Sequence, residues 1–324
     1  MALQILDELE AEAIEIIRET SGAFKKPVLL YSIGKDSSVL LHLCKKAFAP
    51  SRIPFPLLHI DTTWKFREMI SFRDEIVRKS NLELIVFTNH SGLKEGINPF
   101  TSGISEYTRI MKTVALRSAL DEHKFDAAIG GSRRDEERSR AKERIFSSRG
   151  SGHSWNPRNQ RPELWRHYNT KLSSEQTMRV FPLSNWTEVD IWKYIQRENI
   201  EINPLYFAKE RKIVVKNQQL IMLDDDRYPV APDDEIIEKT IRFRTLGCYP
   251  LTAGVESTAT TISEIVAEIE NIKLSERATR LIDGSSEDSM EKKKIVEEPE
   301  IEIPVCVVCQ ISFQTRLPGK TVKN

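Results

Sequence analysis

Nowhere does the sequence approach the run of about 20 apolar residues that a bilayer-crossing helix needs, so no membrane span is expected. Cysteine is scarce. Four occur among 324 residues, at positions 44, 248, 306 and 309, too few and too scattered for a disulfide framework. Excess charge of either sign is missing, because 48 Lys and Arg balance 48 Asp and Glu. A chain without net charge is not a general polyanion binder, so any anion site must come from local clustering. Nucleic acid is therefore not expected as a partner. The opening segment MALQILDELEAEAIEIIRET lacks the basic start and unbroken apolar run of a secretory signal. These absences leave a cytoplasmic globular protein with no membrane partner as the expectation.

What is present is a regular alternation. Leu3, Leu6, Leu9, Ala13, Ile16 and Ile17 predict a helix over 3–19. Short apolar runs at 27–31, 56–60, 84–87, 125–129 and 180–183 alternate with helical patterns at 36–48, 65–79, 106–123 and 187–198. Strands apolar on both faces, separated by amphipathic helices, imply a parallel sheet covered on both sides. The predicted class is α/β, with a doubly wound, mainly parallel five-stranded sheet. Such folds bind ligands beyond the carboxyl ends of the strands, where the winding reverses. The unusual segments 32–37, 61–64 and 130–138 fall at those ends. From about Lys209 the pattern breaks into short elements, followed by a predicted helix over 262–272.

The segment Tyr31-Ser-Ile-Gly-Lys-Asp-Ser-Ser38 joins the first strand to its helix. Small residues at 32, 34, 37 and 38 admit a ligand close to the backbone. The helix N-terminus behind them offers N–H groups and partial positive charge to a phosphate. Neither G-x-x-x-x-G-K-[ST] nor G-x-G-x-x-G is found here: Asp36 follows Gly34-Lys35, and Leu29 stands where the first Walker glycine would be. Taken alone, these eight residues also suit an ordinary Ser- and Gly-rich turn. The segment resembles the S-G-G-x-D-S pyrophosphate loop of ATP pyrophosphatases, with Ile33 in place of the first glycine.

The resemblance extends along the chain. Segments 31–38, 59–69 (HIDTTWKFREM), 131–144 (GSRRDEERSRAKER), 242–252 (RFRTLGCYPLT) and 289–294 (SMEKKK) resemble the small, ATP-hydrolysing subunit of bacterial sulfate adenylyltransferase. That family is related to the phosphoadenylyl-sulfate reductases and shares their adenine nucleotide alpha-hydrolase-like fold. The resemblance implies transfer of AMP from ATP to sulfate; no acidic cluster in the sequence marks a metal site, so magnesium is expected to be carried in on the ATP. It implies a GTPase partner subunit whose GTP hydrolysis drives the uphill transfer, in a heterodimer or larger assembly. It divides the chain into an ATP-binding α/β domain over 1–200, a C-terminal extension over the active-site edge at 201–294, and an atypical tail at 295–324.

On this reading Ser32, Gly34, Lys35, Ser37 and Ser38 hold the pyrophosphate, and Asp36 orients the loop or caps the helix rather than acting as a base. Asp61, Thr62 and Thr63 contact the adenosine half, and Trp64 either stacks on a ligand or packs in the core. Gly131 opens the basic segment. Between 132 and 171 there are eleven Lys and Arg against five Asp and Glu, and Arg forks suit tetrahedral oxyanions. Arg133, Arg134 and Arg138 are the first candidates to touch substrate; Arg140, Lys142 and Arg144 follow them. The stretch from there to Tyr168 reads as a long loop of the lid type. Arg242, Arg244, Arg277 and Arg280 are expected to approach the nucleotide, although Thr279 replaces a glycine of the family's motif. The related reductases carry Gly-Cys-x-Pro-Cys, whereas this chain has Gly247-Cys-Tyr-Pro-Leu251. With one cysteine lost, no iron–sulfur cluster is expected. A lone Cys306-x-x-Cys309 supplies only half of a zinc site and reads as two thiols on a flexible tail. A phosphoadenylyl-sulfate reductase, an RNA-modifying ATP pyrophosphatase and a non-catalytic nucleotide sensor are the competing readings.

Overall fold

A computed structural model describes residues 2–136 and 141–271. The sequence-derived candidates Arg138, Arg140, Arg277 and Arg280, with Thr279 and the 295–324 tail bearing Cys306 and Cys309, lie outside the described residues.

Helix α1 (Ala2–Ala23) turns Leu6, Ala13, Ile16 and Ile17 inward and packs against α2 (Lys35–Phe48). Strands β1 (Pro27–Leu30), β2 (Leu57–Ile60), β3 (Leu84–Phe87) and β4 (Ala127–Ile129) fall where the apolar runs place them. The helices between them are α3 (Arg67–Ser80), α4 (His90–Lys94), α5 (Ile104–Thr108) and α6 (Ala115–Glu122). A π-helical stretch, Arg109–Val114, joins α5 to α6. Two further strands complete the sheet, β5 (Phe146–Arg149) and β6 (Thr177–Val180), in the order β3-β2-β1-β4-β6-β5.

Five of these strands run parallel, as the alternation predicts, and β5 lies antiparallel on the edge beside β6. β5 falls inside the basic stretch read from sequence as a loop. Its stability is not apolar alternation. The strand is held by its ladder to β6 and by the Glu163 carboxylate, which accepts the Ile145 and Phe146 N–H groups at 3.0 and 2.7 Å. The apolar run at 180–183 straddles the end of β6, so the fifth parallel strand begins three residues earlier than predicted. Val28 and Leu29 are fully buried, as a central strand covered on both faces requires.

The winding reverses at β1. From β1 the chain passes outward to β2 and β3, then crosses back to β4 on the other flank. The loops after β1 and β4 therefore face each other at the carboxyl ends of adjacent strands.

Beyond α7 (Glu188–Glu198), residues 209–256 form a second, antiparallel sheet not anticipated from sequence. It is built from β7 (Lys209–Lys216), β8 (Gln219–Met222), β9 (Ile236–Arg242) and β10 (Val255–Glu256), ordered β10-β9-β7-β8. Helix α8 (Ile262–Asn271) follows and packs on α7. Arg242 and Arg244, expected at the nucleotide, are buried within ion pairs instead. Arg242 pairs with Glu268 of α8 at 2.7 Å and Arg244 with Glu188 of α7 at 2.6 Å. The first ties β9 to α8 and the second ties the segment after β9 to α7. Among the described residues no helix is long and apolar enough to cross a membrane.

Candidate active site

The loop after β1 departs from extended geometry at Ile33, whose φ is +70°. A β-branched residue in the left-handed region carries local strain, offset here by complete burial of its side chain. Gly34 then caps α2 with extended backbone and no side-chain capping bond. The first amide of the helix, Lys35 N–H, donates to the Tyr206 hydroxyl at 2.7 Å. Ser37 Oγ donates to the Gly34 carbonyl at 2.8 Å, and Ser32 Oγ lies 3.3 Å from Ser37 Oγ.

Lys35 is buried, with Nζ 3.3 Å from Asp36 Oδ2. The other Asp36 oxygen accepts from Arg133 Nε at 2.6 Å. Burial alone would push the Asp36 carboxyl up, but the charges of Lys35 and Arg133 outweigh it and hold the group down at about 2. Asp36 is thus a fixed anion linking two cations, which suits an orienting role and not that of a base.

Gly131, after β4, comes as close to this loop as a residue can. A Cβ there would stand 3.2 Å from Asp36 Cβ and 3.3 Å from its carbonyl carbon. Ser32, Gly34, Lys35, Asp36, Ser37 and Gly131 all line one cavity of about 270 Å³. Ser38 is buried behind it. Arg133 is buried too, bonded to Asp36, which lines the cavity, and with Nη1 3.5 Å from Asp135. Arg134 turns away to Asn185 Oδ1 (2.6 Å) and the Glu143 carbonyl. The structure therefore brings the loop and Gly131 together with Arg133 behind them, and leaves Arg134 outside.

The segment after β2 forms a second recess. Asp61 Oδ1 accepts the Thr63 N–H at 2.7 Å and stabilises Thr63 at φ +64°. Asp61 and Thr63 line a cavity of about 400 Å³ with Lys65, Arg67, Asp225 and Arg227. Thr62 is buried, its hydroxyl 3.3 Å from Cys248 Sγ and its carbonyl accepting from Tyr107 Oη. Burial pushes the Cys248 thiol up, but the charges of Lys65 and Lys112, together with hydrogen bonds from Thr62 and Tyr107, bring it below its ordinary value. Trp64 packs as an aromatic, stacked on Tyr249 with Phe100 at its edge and Arg227 over its face.

Sequence reasoning missed Lys112, Glu136, Tyr206, Thr245 and Leu246, which line the phosphate-side cavity. Lys112 sits in the π-helical stretch, a geometry often found at functional sites, but its sequence reads as an ordinary helix face. Tyr206 adjoins no nucleotide motif, and Thr245 lies within segment 242–252, where the flanking arginines are the more conspicuous candidates.

Comparison with known proteins places this geometry in a family. The phosphoadenosine phosphosulfate reductase domain matches residues 26–254. Sulfate adenylyltransferase subunit 2 of Rhizobium meliloti is 58% identical over 294 residues, covering 91% of this chain and 98% of that protein. The chain belongs to the sulfate adenylyltransferase subunit 2 family. The Aeromonas salmonicida member is 59% identical over 289 residues, with 89% and 94% coverage, and the family is one of nucleotidyltransferases. Solved structures similar to this family member include phosphoadenylyl-sulfate reductase from Candida auris, at 16% identity and TM-score 0.44 over 62% of this chain and 88% of that one. FMN adenylyltransferase from Candida glabrata is similar at 16% identity and TM-score 0.48 over 86% and 89%.

Proposed function

We propose that the chain is the catalytic subunit of a sulfate adenylyltransferase, forming adenylyl sulfate and pyrophosphate from ATP and sulfate. The observation that carries this reading is the Lys35–Asp36–Arg133 bridge, which joins the loops after β1 and β4 around the N-terminus of α2. A sulfate oxygen attacks the α-phosphorus of ATP. The bond from that phosphorus to the bridging oxygen breaks, and its electron pair leaves with pyrophosphate. Sulfate carries no proton at neutral pH, so no general base is required, in keeping with an Asp36 that stays ionised. Catalysis rests on positioning and on neutralising charge at the leaving group. Lys35, the opening amides of α2 and the hydroxyls of Ser32 and Ser37 supply that neutralisation. Asp61 and Thr62 would serve the adenosine half, and Arg133 holds Asp36 and Lys35 in place.

The donor set at the loop is ammonium, hydroxyl and N–H, and its carboxylate is tied to two cations. That set suits phosphate oxygens and not a bare divalent ion, so magnesium would enter on the ATP phosphates. Among the described residues Cys248 meets Thr62, Tyr107 and Lys65 and no other thiol, a setting that does not fit an iron–sulfur cluster. A phosphate–sulfate anhydride is high in energy, so a partner subunit hydrolysing GTP is proposed to drive the transfer. The designation of the relatives as a second subunit supports an assembly. A cytoplasmic setting, where ATP and GTP are supplied, fits this chemistry.

The test is pyrophosphate release from ATP, with and without sulfate or molybdate, and with and without the partner and GTP. Release that needs the oxyanion and rises with partner and GTP is the expected outcome. ATP binding without oxyanion-dependent release would identify a nucleotide sensor instead.

A further inference from the structure

We propose that Tyr31, Ser38, His59 and Arg73 hold a buried water behind the loop after β1, and that this water fixes both ends of the loop. The water site stands on the geometry alone. Its effect on ligand binding rests on the reading of that loop as the pyrophosphate site of an ATP-cleaving enzyme.

Sheet register brings the four residues together. Leu29 stands opposite Leu57 and Leu30 opposite Leu58, and the Tyr31 N–H continues the ladder to the Leu58 carbonyl at 2.9 Å. Tyr31 therefore neighbours His59 on the adjacent strand, and alternation along each strand turns both to the face that carries Leu29 and Leu57. Helices α2 and α3 cover that face and supply the other two residues. The Ser38 hydroxyl lies beside that of Tyr31, and the Arg73 charge acts on both Tyr31 and His59. All four residues are at most 8% exposed.

Tyr31 Oη, Ser38 Oγ, His59 Nε2 and Arg73 Nη1 are each buried without a hydrogen-bond partner among the described residues. Such groups are few in folded proteins, and each is destabilising, so four in one place point to a shared partner. The chemistry of the four selects it. His59 Nδ1 lies 2.9 Å from the Tyr31 carbonyl, which only accepts, so Nδ1 carries the proton. Burial keeps the ring neutral, which leaves Nε2 as an acceptor. Arg73 Nη1 can only donate. A bare anion has nothing to donate to Nε2, and a cation is repelled by the guanidinium. Water donates to the imidazole, accepts from the guanidinium and bonds a hydroxyl, the roughly three bonds of a buried water.

Tyr31 immediately precedes Ser32, and Ser38 immediately follows Ser37. A water shared by their hydroxyls closes the base of the loop that runs between them. Arg73 and His59 are then positioning residues that act on the loop through the water.

Diffraction from crystals of the full chain tests the site. An ordered water within hydrogen-bond distance of His59 Nε2, Arg73 Nη1 and a hydroxyl is expected. An empty site, direct bonds among the four side chains, or an anion revealed by bromide soaking would overturn the inference. Calorimetry with pyrophosphate tests the role. Tyr31→Phe keeps the ring and removes one bond to the water, and Arg73→Met removes another. Each is expected to weaken pyrophosphate binding about fivefold, and the double variant to be little worse than either, because the two act through one water. Unchanged affinity in the folded variants, or full additivity, would overturn the positioning role and leave the ATP-cleaving reading standing. A wild-type chain that holds the water but binds no pyrophosphate would remove that reading, and the positioning role with it, while the water site stands.

Discussion

Arg133 Nε donates to Asp36 Oδ1 across 2.6 Å, joining residues 97 positions apart in the chain. This contact fixes the separation of the loops after β1 and β4, and therefore the shape of the cavity between them. Asp36 has a folded value of about 2 against an ordinary 3.8. A depressed carboxylate stabilises the folded state above its unfolded value and loses that contribution as pH falls through the folded one. At neutral pH, Asp36→Asn is expected to lose about 2 kcal/mol. Denaturant midpoints measured between pH 5 and pH 2 should fall less steeply in the variant than in the wild type.

Lys35 is buried in the cavity wall, and the proposed mechanism develops leaving-group charge beside it. Lys35→Met should lower the turnover number by roughly 100-fold, the scale seen when one electrostatic stabiliser is removed. Lys35→Arg should not restore it, because a planar fork does not fit the space of a compact ammonium. Oxyanion-dependent pyrophosphate release measures both; near-wild-type turnover of Lys35→Met would remove Lys35 from the mechanism.

Gly131→Ala forces a methyl group against backbone at 3.3 Å. Backbone at a helix start cannot retreat as a flexible side chain does, so a stability loss of about 1–3 kcal/mol is expected. KM for ATP should rise in parallel, since the displaced atoms belong to Asp36. An unfolding temperature and KM that both match the wild type would show that the two loops are not closely packed.

His59 donates from Nδ1 to the Tyr31 carbonyl at 2.9 Å, where β1 gives way to the phosphate loop. Burial, helped by the charge of Lys65, lowers this imidazole to about 4 from an ordinary 6.5. The unfolded chain therefore binds a proton more readily. Stability is complete above pH 6.5 and declines as pH falls toward 4, by roughly 2 kcal/mol at pH 5. His59→Gln should flatten the stability profile between pH 7 and 5, above the window assigned to Asp36. A profile unchanged by the substitution would move the acid sensitivity to other groups.

Much of the site was legible because its residues are contiguous. Ser32 to Ser37 close a β–loop–α connection, and small residues with a lysine at a helix start suit a phosphate whatever surrounds them. The arginines were harder to read. Sequence shows the charges of Arg133, Arg134, Arg242 and Arg244 but not their partners, and the partners decide which face a ligand. Asp36, Glu188 and Glu268 take three of them into ion pairs, and Asn185 draws Arg134 aside.

The sequence by itself determined the parallel sheet, its central strands and the position of the candidate phosphate loop. Strands buried on both faces must be apolar throughout, and that requirement is local. The tertiary structure alone decided the β5 edge strand, the second sheet and the approach of Tyr206 to Lys35. β5 and β7 are rich in charged and hydroxyl side chains and are held by ladder hydrogen bonds to their neighbours, so their sequences carry little period-2 signal. Tyr206 meets Lys35 from 171 residues away, and only the packing of the later chain against α2 brings a phenol to the first amide of that helix.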